Sequence, residues 1–344
     1  MKITPLTPNF KGYDATQLRA LHIATKWGKI KDELIEVSKA EGFEVKESDF
    51  NGSFNQDFKV ILENNGSTKL VLNESKGFFE PYLDKISTDY QMPVELLDRL
   101  DKTSGFVAGG NFFLGKLPNG EKYILVSTTE QRNNWDKSAI SKLYGVKKEN
   151  IHFITHQDYH LDMSVRPIGY PYVLVNDPNA VLKNKEKAKI NKGLKNKGAK
   201  QPRKPQKQQD EIDKIQMHAY KKCIEDLEKA GFKPITIAGA YDLDVNFINA
   251  IVNKHPDGTI SYITNSSKCD NIYTSKYQKI FEKDLRRKLD ELSKTDPNAP
   301  KLKNVYFIQG RDFGFQNEVM NNLMEGAGGV HCMCLEEPRF EAWG

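Results

Sequence analysis

The chain has 344 residues, 38% of them hydrophobic and 28% charged, with a mean hydropathy of −0.63. That is enough apolar content for a substantial core, in one large domain or two ordinary ones, and no apolar run approaches the roughly 18 residues that would span a membrane. The net charge of +5 is unevenly placed: between Lys183 and Lys207, eleven Lys/Arg stand against the single acid Glu186, a local net of +10, so the remainder carries −5. The opening residues hold no apolar signal-like core, so no secretory signal is expected. Cys223, Cys269, Cys332 and Cys334 are too few for a disulfide framework in a chain of this length, which points to a reducing, cytoplasmic setting.

Taken in chain order, residues 1–14 read as an irregular tail punctuated by Pro5, Pro8 and Gly12. From Ala15 to about Ala40 the apolar positions Leu18, Leu21, Ile30, Leu34 and Ile35 predict helix, interrupted near Gly28. Strands at 58–62 and 68–72 flank Asn-Asn-Gly, a hairpin signal, and 106–115 and 122–127 flank Pro118-Asn119-Gly120 in a second hairpin-like unit. A short helix over 135–145 closes on Gly145. Strands are predicted at 151–155, 160–165 and 172–175, followed by a helix from Asp210 to Ala230. Further strands at 234–239, 247–252 and 260–264, a charged helix at 275–293, a strand at 304–309, a helix near 315–325 and a Gly-rich turn complete the chain. This recurrence of strand, strand, helix and strand at spacings of about 50 residues favours units set around a centre over one doubly wound sheet.

The stretch 182–210 is low in complexity and nearly devoid of apolar side chains, so it cannot bury enough surface to offset the entropy of ordering it. It reads as a solvated linker or loop. A contact with nucleic acid or another anionic surface is the alternative, and without aromatics that contact would be electrostatic and salt-sensitive.

Chemistry concentrates in two places. Near the C-terminus, Gly326, Gly328 and Gly329 allow a sharp turn just before His331 and Cys332, where a thiolate could be presented and its proton affinity lowered. Cys332 is a candidate nucleophile, with a buried structural cysteine and half of a metal site as alternatives. Upstream, His160 and Asp162 lie at i and i+2, on one face of a strand, and supply a proton shuttle and an acceptor for a cation. A satisfied surface pair and a metal cluster with His152 and His156 compete with that reading. Asp57 precedes the first apolar strand, where a turn aspartate is the plainer explanation. Gly109-Gly110-Asn111 interrupts a strand-like run, as glycine does where something must come close.

In this order, the acid Asp57, Gly109-Gly110-Asn111, His160-Leu161-Asp162 and the Gly-rich turn into His331-Cys332 resemble the pentein superfamily of guanidino-modifying enzymes over roughly residues 50–344. The segment Gly329-Val330-His331-Cys332, with Glu337-Pro338 and the aromatic tail Phe340 and Trp343, is most similar to the catalytic core of protein-arginine deiminases. The resemblance implies an α/β five-bladed propeller with an N-terminal helical extension: a tail and helix over 1–45, then a catalytic domain over 46–344 interrupted by the basic insertion 182–210. It also implies that Cys332 attacks a guanidinium carbon, that His160 moves the protons, and that Asp57 and Asp162 hold the cation. Gly109, Gly110, Asn111 and His331 complete the substrate pocket. No metal or organic cofactor is implied. The substrate is an arginine-containing peptide or protein or a small guanidino compound, and an amidinotransferase or an inactive binding module are the other members such a chain could match. Two departures stand out: Ala108 replaces the acid that usually precedes Gly-Gly in arginine and agmatine deiminases, and no Arg-Asp dipeptide marks the first unit.

Overall fold

The computed structural model describes residues 13–24, 28–48, 59–64, 67–74, 77, 79–98, 102–107, 109–128, 136–156, 158, 160–178, 206–242, 245–266, 272–308 and 329–339. The described chain opens with β1 (Leu18–Ala24), α1 (Gly28–Glu41) and β2 (Glu44–Ser48), then β3 (Lys59–Asn64), β4 (Ser67–Glu74), α2 (Leu83–Tyr90) and β5 (Val94–Asp98). Next come β6 (Phe112–Lys116), β7 (Lys122–Ser127), α3 (Lys137–Tyr144) and β8 (Ile151–Ile154), then β9 (Val165–Pro167), β10 (Tyr172–Asn176), α4 (Gln206–Lys229) and β11 (Lys233–Ile237). After the small pair β12 (Ala240–Asp242) and β13 (Val245–Asn246) follow β14 (Ala250–Lys254), β15 (Thr259–Asn265), α5 (Ile272–Thr295) and β16 (Lys301–Ile308). A single turn, α6 (Val330–Met333), leads into β17 (Leu335–Pro338).

These elements form five three-stranded sheets of one design. An antiparallel pair, such as β3 with β4, is followed by a helix and a third strand parallel to the second. The helix is needed because a parallel neighbour cannot be reached by a tight turn. The same plan serves β6-β7-β8, β9-β10-β11 and β14-β15-β16. The fifth sheet is assembled from both ends of the described chain: β17 pairs antiparallel with β1, and β1 runs parallel to β2 across α1.

Both faces of the middle strands are largely buried, so alternate residues serve different cores. Val60, Leu62 and Val71 pack with Leu114, Ile124 and Val126 between the first two hairpin sheets. Phe113 and Leu125 pack with Val173 and Val175, Leu174 packs with Val252 and Tyr262, and Ile251 and Ile263 pack with Leu21 and Ile23. Finally, Ile61 and Leu70 share a cluster with Leu335 of β17. Each sheet thus shares one core with the sheet before it and another with the sheet after it, and the series returns to its start.

The helix expected from Ala15 is instead a strand at Leu18–Ala24 followed by α1. Leu18, Leu21 and Ile23 are apolar enough for either state, and pairing with β17 and β2 on both edges decides it. Among the described residues, 18–48 are therefore no helical extension beside the sheets; they supply two strands of one of them.

The supposed tail also carries structure from Tyr13 onward. Tyr13 Oη donates to Ile61 O and its amide to Glu336 Oε2, while the Asp14 amide donates to Leu114 O. Asp14 accepts from the amides of Gly169 and Tyr170 in the β9–β10 connection and from Tyr123 Oη. Thr16 O receives the amide of Lys254 in β14. Tyr13, Asp14 and Thr16 thus bond to strands of four of the sheets and to the β9–β10 connection of the fifth.

Other expectations shift in detail. The predicted strand at 106–115 starts only at Phe112, and Gly109–Asn111 is a 3-10 turn. The predicted strand at 160–165 is a 3-10 turn, Leu161–Met163, ahead of β9. The helix of 135–145 is present as α3, with the Asp136 carboxylate accepting the Ala139 amide and Gly145 ending it at φ 63°. Asp57, Ala108 and the helix proposed near 315–325 lie outside the described residues, as does all of 182–210 except residues 206–210, which begin α4.

Candidate active site

The short helix α6 is held by two asparagines of the β14–β15 sheet. Asn265 Oδ1, at the end of β15, accepts the Val330 amide at 2.6 Å, and Asn249 Oδ1, just before β14, accepts the His331 amide at 3.1 Å. The first amides of a helix have no partner within it, so these side chains cap it. The approach is so close that a Cβ at Gly329 would sit 2.2 Å from Asn249 Oδ1 and 2.5 Å from Asn265 Nδ2. Glycine at 329 is required by that contact, and its φ of −92° is ordinary.

Because the backbone amide of His331 can only donate, Asn249 must turn its oxygen toward it, which aims the amide nitrogen the other way. There Asn249 Nδ2 donates to Asp162 Oδ2 at 2.9 Å and to Cys332 Sγ at 3.1 Å. The Cys332 thiol in turn lies 3.3 Å from the same Asp162 oxygen. Asn249 is itself fixed by Asn246, whose Oδ1 accepts the amides of Ile248 and Asn249 and whose Nδ2 donates to Met163 O.

Asp162 reaches this point from its 3-10 turn, where it is 1% exposed. The turn is anchored on its neighbour: Asn111 Oδ1 accepts the Leu161 amide at 3.3 Å. Gly110 lies directly beneath His160, so close that a Cβ there would come within 2.5 Å of the imidazole Nδ1. His160, Asp162 and Cys332 each offer one ligand-type atom within 4.8 Å of the others, with the carboxylate and thiol buried and the imidazole partly exposed. A nucleophile with a proton shuttle and a carboxylate is one use of such a trio. A thiophilic divalent cation is another, since Cys, His and Asp are all zinc ligands. The candidate ligand group among the described residues includes neither His152 nor His156. His156 bonds Ser127 Oγ, and burial together with Lys137 lowers the pKa of His152 to about 4.

His331 does not flank the thiol as a cation. Its ring is fully buried, stacks on Phe113 and places Nδ1 2.8 Å from Asp162 Oδ2. Burial, reinforced by the nearby Arg166 guanidinium, holds its pKa well below the ordinary imidazole value, so the ring is neutral and positions the carboxylate. Cys334 does not share a face with Cys332, because the segment between them is helical and not extended. It packs instead among Leu21, Ile251 and Met333, where burial pushes its thiol well up.

The structure therefore brings together His160, Asp162, Cys332, His331, Gly110 and Asn111, with Gly109 buried in the same turn as Gly110. Sequence reasoning passed over Asn249, Asn246 and Asn265. The available signal was Asn249 inside the otherwise apolar run 247–252 and Asn246 immediately before it, since a polar residue in a buried strand must find a partner.

No family model and no curated protein matches this sequence. Solved structures do match in shape. The agmatine deiminase of C. jejuni superposes with a TM-score of 0.51 at 15% identity, over 94% of each chain. SxtG, an amidinotransferase of the saxitoxin biosynthetic pathway from Microseira wollei, superposes with a TM-score of 0.50 at 12% identity, over 97% of this chain and 98% of its own. The chain shares the fold of these two proteins.

Proposed function

We propose that the protein is a cysteine-dependent enzyme acting on the guanidino group of a small molecule, hydrolysing it to a ureido group and ammonia. The observation that carries this reading is the meeting of Cys332 Sγ, Asp162 and His160 within 4.8 Å on two separately anchored turns. The fold shared with an agmatine deiminase and an amidinotransferase supports the same chemistry. It favours a small substrate over the protein-bound arginine that the C-terminal segment suggests.

In this mechanism the guanidinium lies against Asp162, whose negative charge attracts the planar cation. Its arrival offsets the repulsion between a thiolate and the carboxylate 3.3 Å away, so the Cys332 proton can pass to His160. The thiolate attacks the guanidinium carbon. His160 returns the proton to the departing nitrogen, and ammonia leaves a thiouronium on Cys332. Water, deprotonated by His160, then attacks the same carbon, and the C–S bond breaks to give the ureido product and the free thiol. Asp57, carried over from the family pattern, would hold the second edge of the cation. The chemistry needs neither metal nor organic cofactor. We also take the five sheets as five blades around this site, with residues from Tyr13 onward belonging to one catalytic unit, and we assign a reducing, cytoplasmic setting.

The test is to incubate the protein with agmatine, free arginine and an arginine-containing peptide, following ammonia and ureido product, with Cys332→Ala as control. Release of both from agmatine or arginine, lost in the control, supports the proposal. Product from the peptide alone would return the assignment to protein-arginine deiminases. A guanidino group moved to an added amine without ammonia would make the protein an amidinotransferase, the second reading that the likeness to SxtG supports. Turnover retained in Cys332→Ala would overturn the nucleophile, and silence with every substrate would overturn the activity.

A further inference from the structure

We infer that Asn249 is a catalytic residue of this site, its side-chain amide donating to Cys332 Sγ and stabilising the thiolate beside Asp162. The inference rests on the proposed function only in naming the reaction, since the contact is with the sulfur itself.

Three features of the geometry carry it. First, Asn249 Nδ2 is 3.1 Å from Sγ and 2.9 Å from Asp162 Oδ2, so its two N–H groups serve the two atoms that would both be negative once the thiol ionises. Without a donor between them, a thiolate 3.3 Å from a carboxylate has only repulsion on that side. Second, the orientation of the amide is not free. The His331 amide holds Oδ1, and Asn246 holds the Asn249 backbone, so the donor is set before any reaction begins. Third, the residue is wholly buried, where a hydrogen bond to a charged sulfur is worth more than it would be in water. The second sulfur within reach, Met163 Sδ at 3.6 Å, is a weak acceptor and does not compete for the amide.

Asn249→Asp separates this role from a structural one. The aspartate keeps the size and the oxygen that caps the His331 amide, but it turns an oxygen where the donor was. The experiment follows alkylation of Cys332 by iodoacetamide against pH in the wild type, Asn249→Asp and Asn249→Ala, with Cys332→Ala giving the background of the other cysteines. Only the thiolate reacts. Loss of a hydrogen bond to a charged group should move the alkylation midpoint of Asn249→Ala up by about one to two pH units, with a larger shift for Asn249→Asp. The value of kcat should fall at least about tenfold, with KM changing less. An alkylation profile in either folded variant that overlays the wild type would overturn the inference. Should neither variant fold, the Asn249 side-chain amide resonance in nitrogen-labelled wild type must follow the Cys332 titration, and a resonance that does not move would overturn it too. Shifted alkylation in a protein that turns over no guanidino compound would sink the proposed function and leave the role of Asn249 standing.

Discussion

Two buried aspartates gather the molecule around themselves, Asp14 near the start of the described chain and Asp162 in the site. Asp14 accepts the amides of Ala15, Gly169 and Tyr170 and the hydroxyl of Tyr123, and its neighbours in sequence bond to the remaining sheets. Asp162 accepts from the imidazole of His331, the amide of Asn249 and the thiol of Cys332. The physical device is the same: a carboxylate buried at the meeting of several sheets, stabilised by donors that no single sheet could supply. The difference lies in the donors. Backbone amides and a tyrosine hydroxyl stay protonated throughout the working pH range, so Asp14 is a staple. Around Asp162 one donor is a thiol, which can give up its proton, and a partly exposed His160 stands beside it, so in the proposed mechanism Asp162 takes part in chemistry.

The comparison breaks most sharply at Asp162. Asp162→Asn should lower kcat/KM by about 10²–10³-fold, the loss expected on truncating one member of a buried charge pair with a cationic substrate. A loss under tenfold in steady-state kinetics would put Asp162 in the same class as Asp14. Gly110→Ala should come next. The added methyl meets His160 Nδ1 at 2.5 Å, and displacing a proton shuttle by about 1 Å costs up to a hundredfold in kcat. Thermal stability should change little, because the partly exposed imidazole can move aside.

At Asp14 the effect should fall on stability and not on turnover. Asp14→Ala leaves buried donors at Gly169, Tyr170 and Tyr123 unpaired, a loss of about 1–3 kcal/mol in denaturant unfolding, with kcat of the folded fraction unchanged. The smallest effect is the most diagnostic. Burial outweighs the hydrogen bonds and raises the Asp14 pKa above its ordinary 3.8. The folded state therefore holds this proton where the unfolded state has released it, and stability from this group falls as pH rises above 3.8, levelling off once the folded pKa is passed. Relative to Asp14→Asn, which cannot titrate, the wild type should lose stability over that window. A gap between the two that is flat with pH would mean the burial cost is absent.

Much of this architecture was legible along the chain. The turn signals at Asn64-Asn65-Gly66 and Pro118-Asn119-Gly120 stand between antiparallel strands, and the long amphipathic runs are α4 and α5. Those features are local, determined by turn chemistry and by periodicity within about 25 residues, so a sequence can state them alone. The turn into Cys332 and the pairing of His160 with Asp162 were legible as candidates for the same reason.

Only the tertiary structure decided the rest. Leu18–Ala24 is a strand because β17, more than 300 residues away, supplies its edge, and no local pattern separates a short apolar strand from a helical turn. His160 and Asp162 meet through a 3-10 turn and not a shared strand face, because Asn111 holds Leu161 and Gly110 admits the imidazole. His331 was expected in the substrate pocket, and burial against Phe113 makes it instead a neutral partner of Asp162. Asn249 was invisible as a functional residue because its donors and acceptors come from positions 162, 331 and 332. A sequence determines which residues can bond and how its local segments curl. Which buried donor meets which acceptor is settled when the sheets close on one another, since every polar group shut away from water must then find a partner.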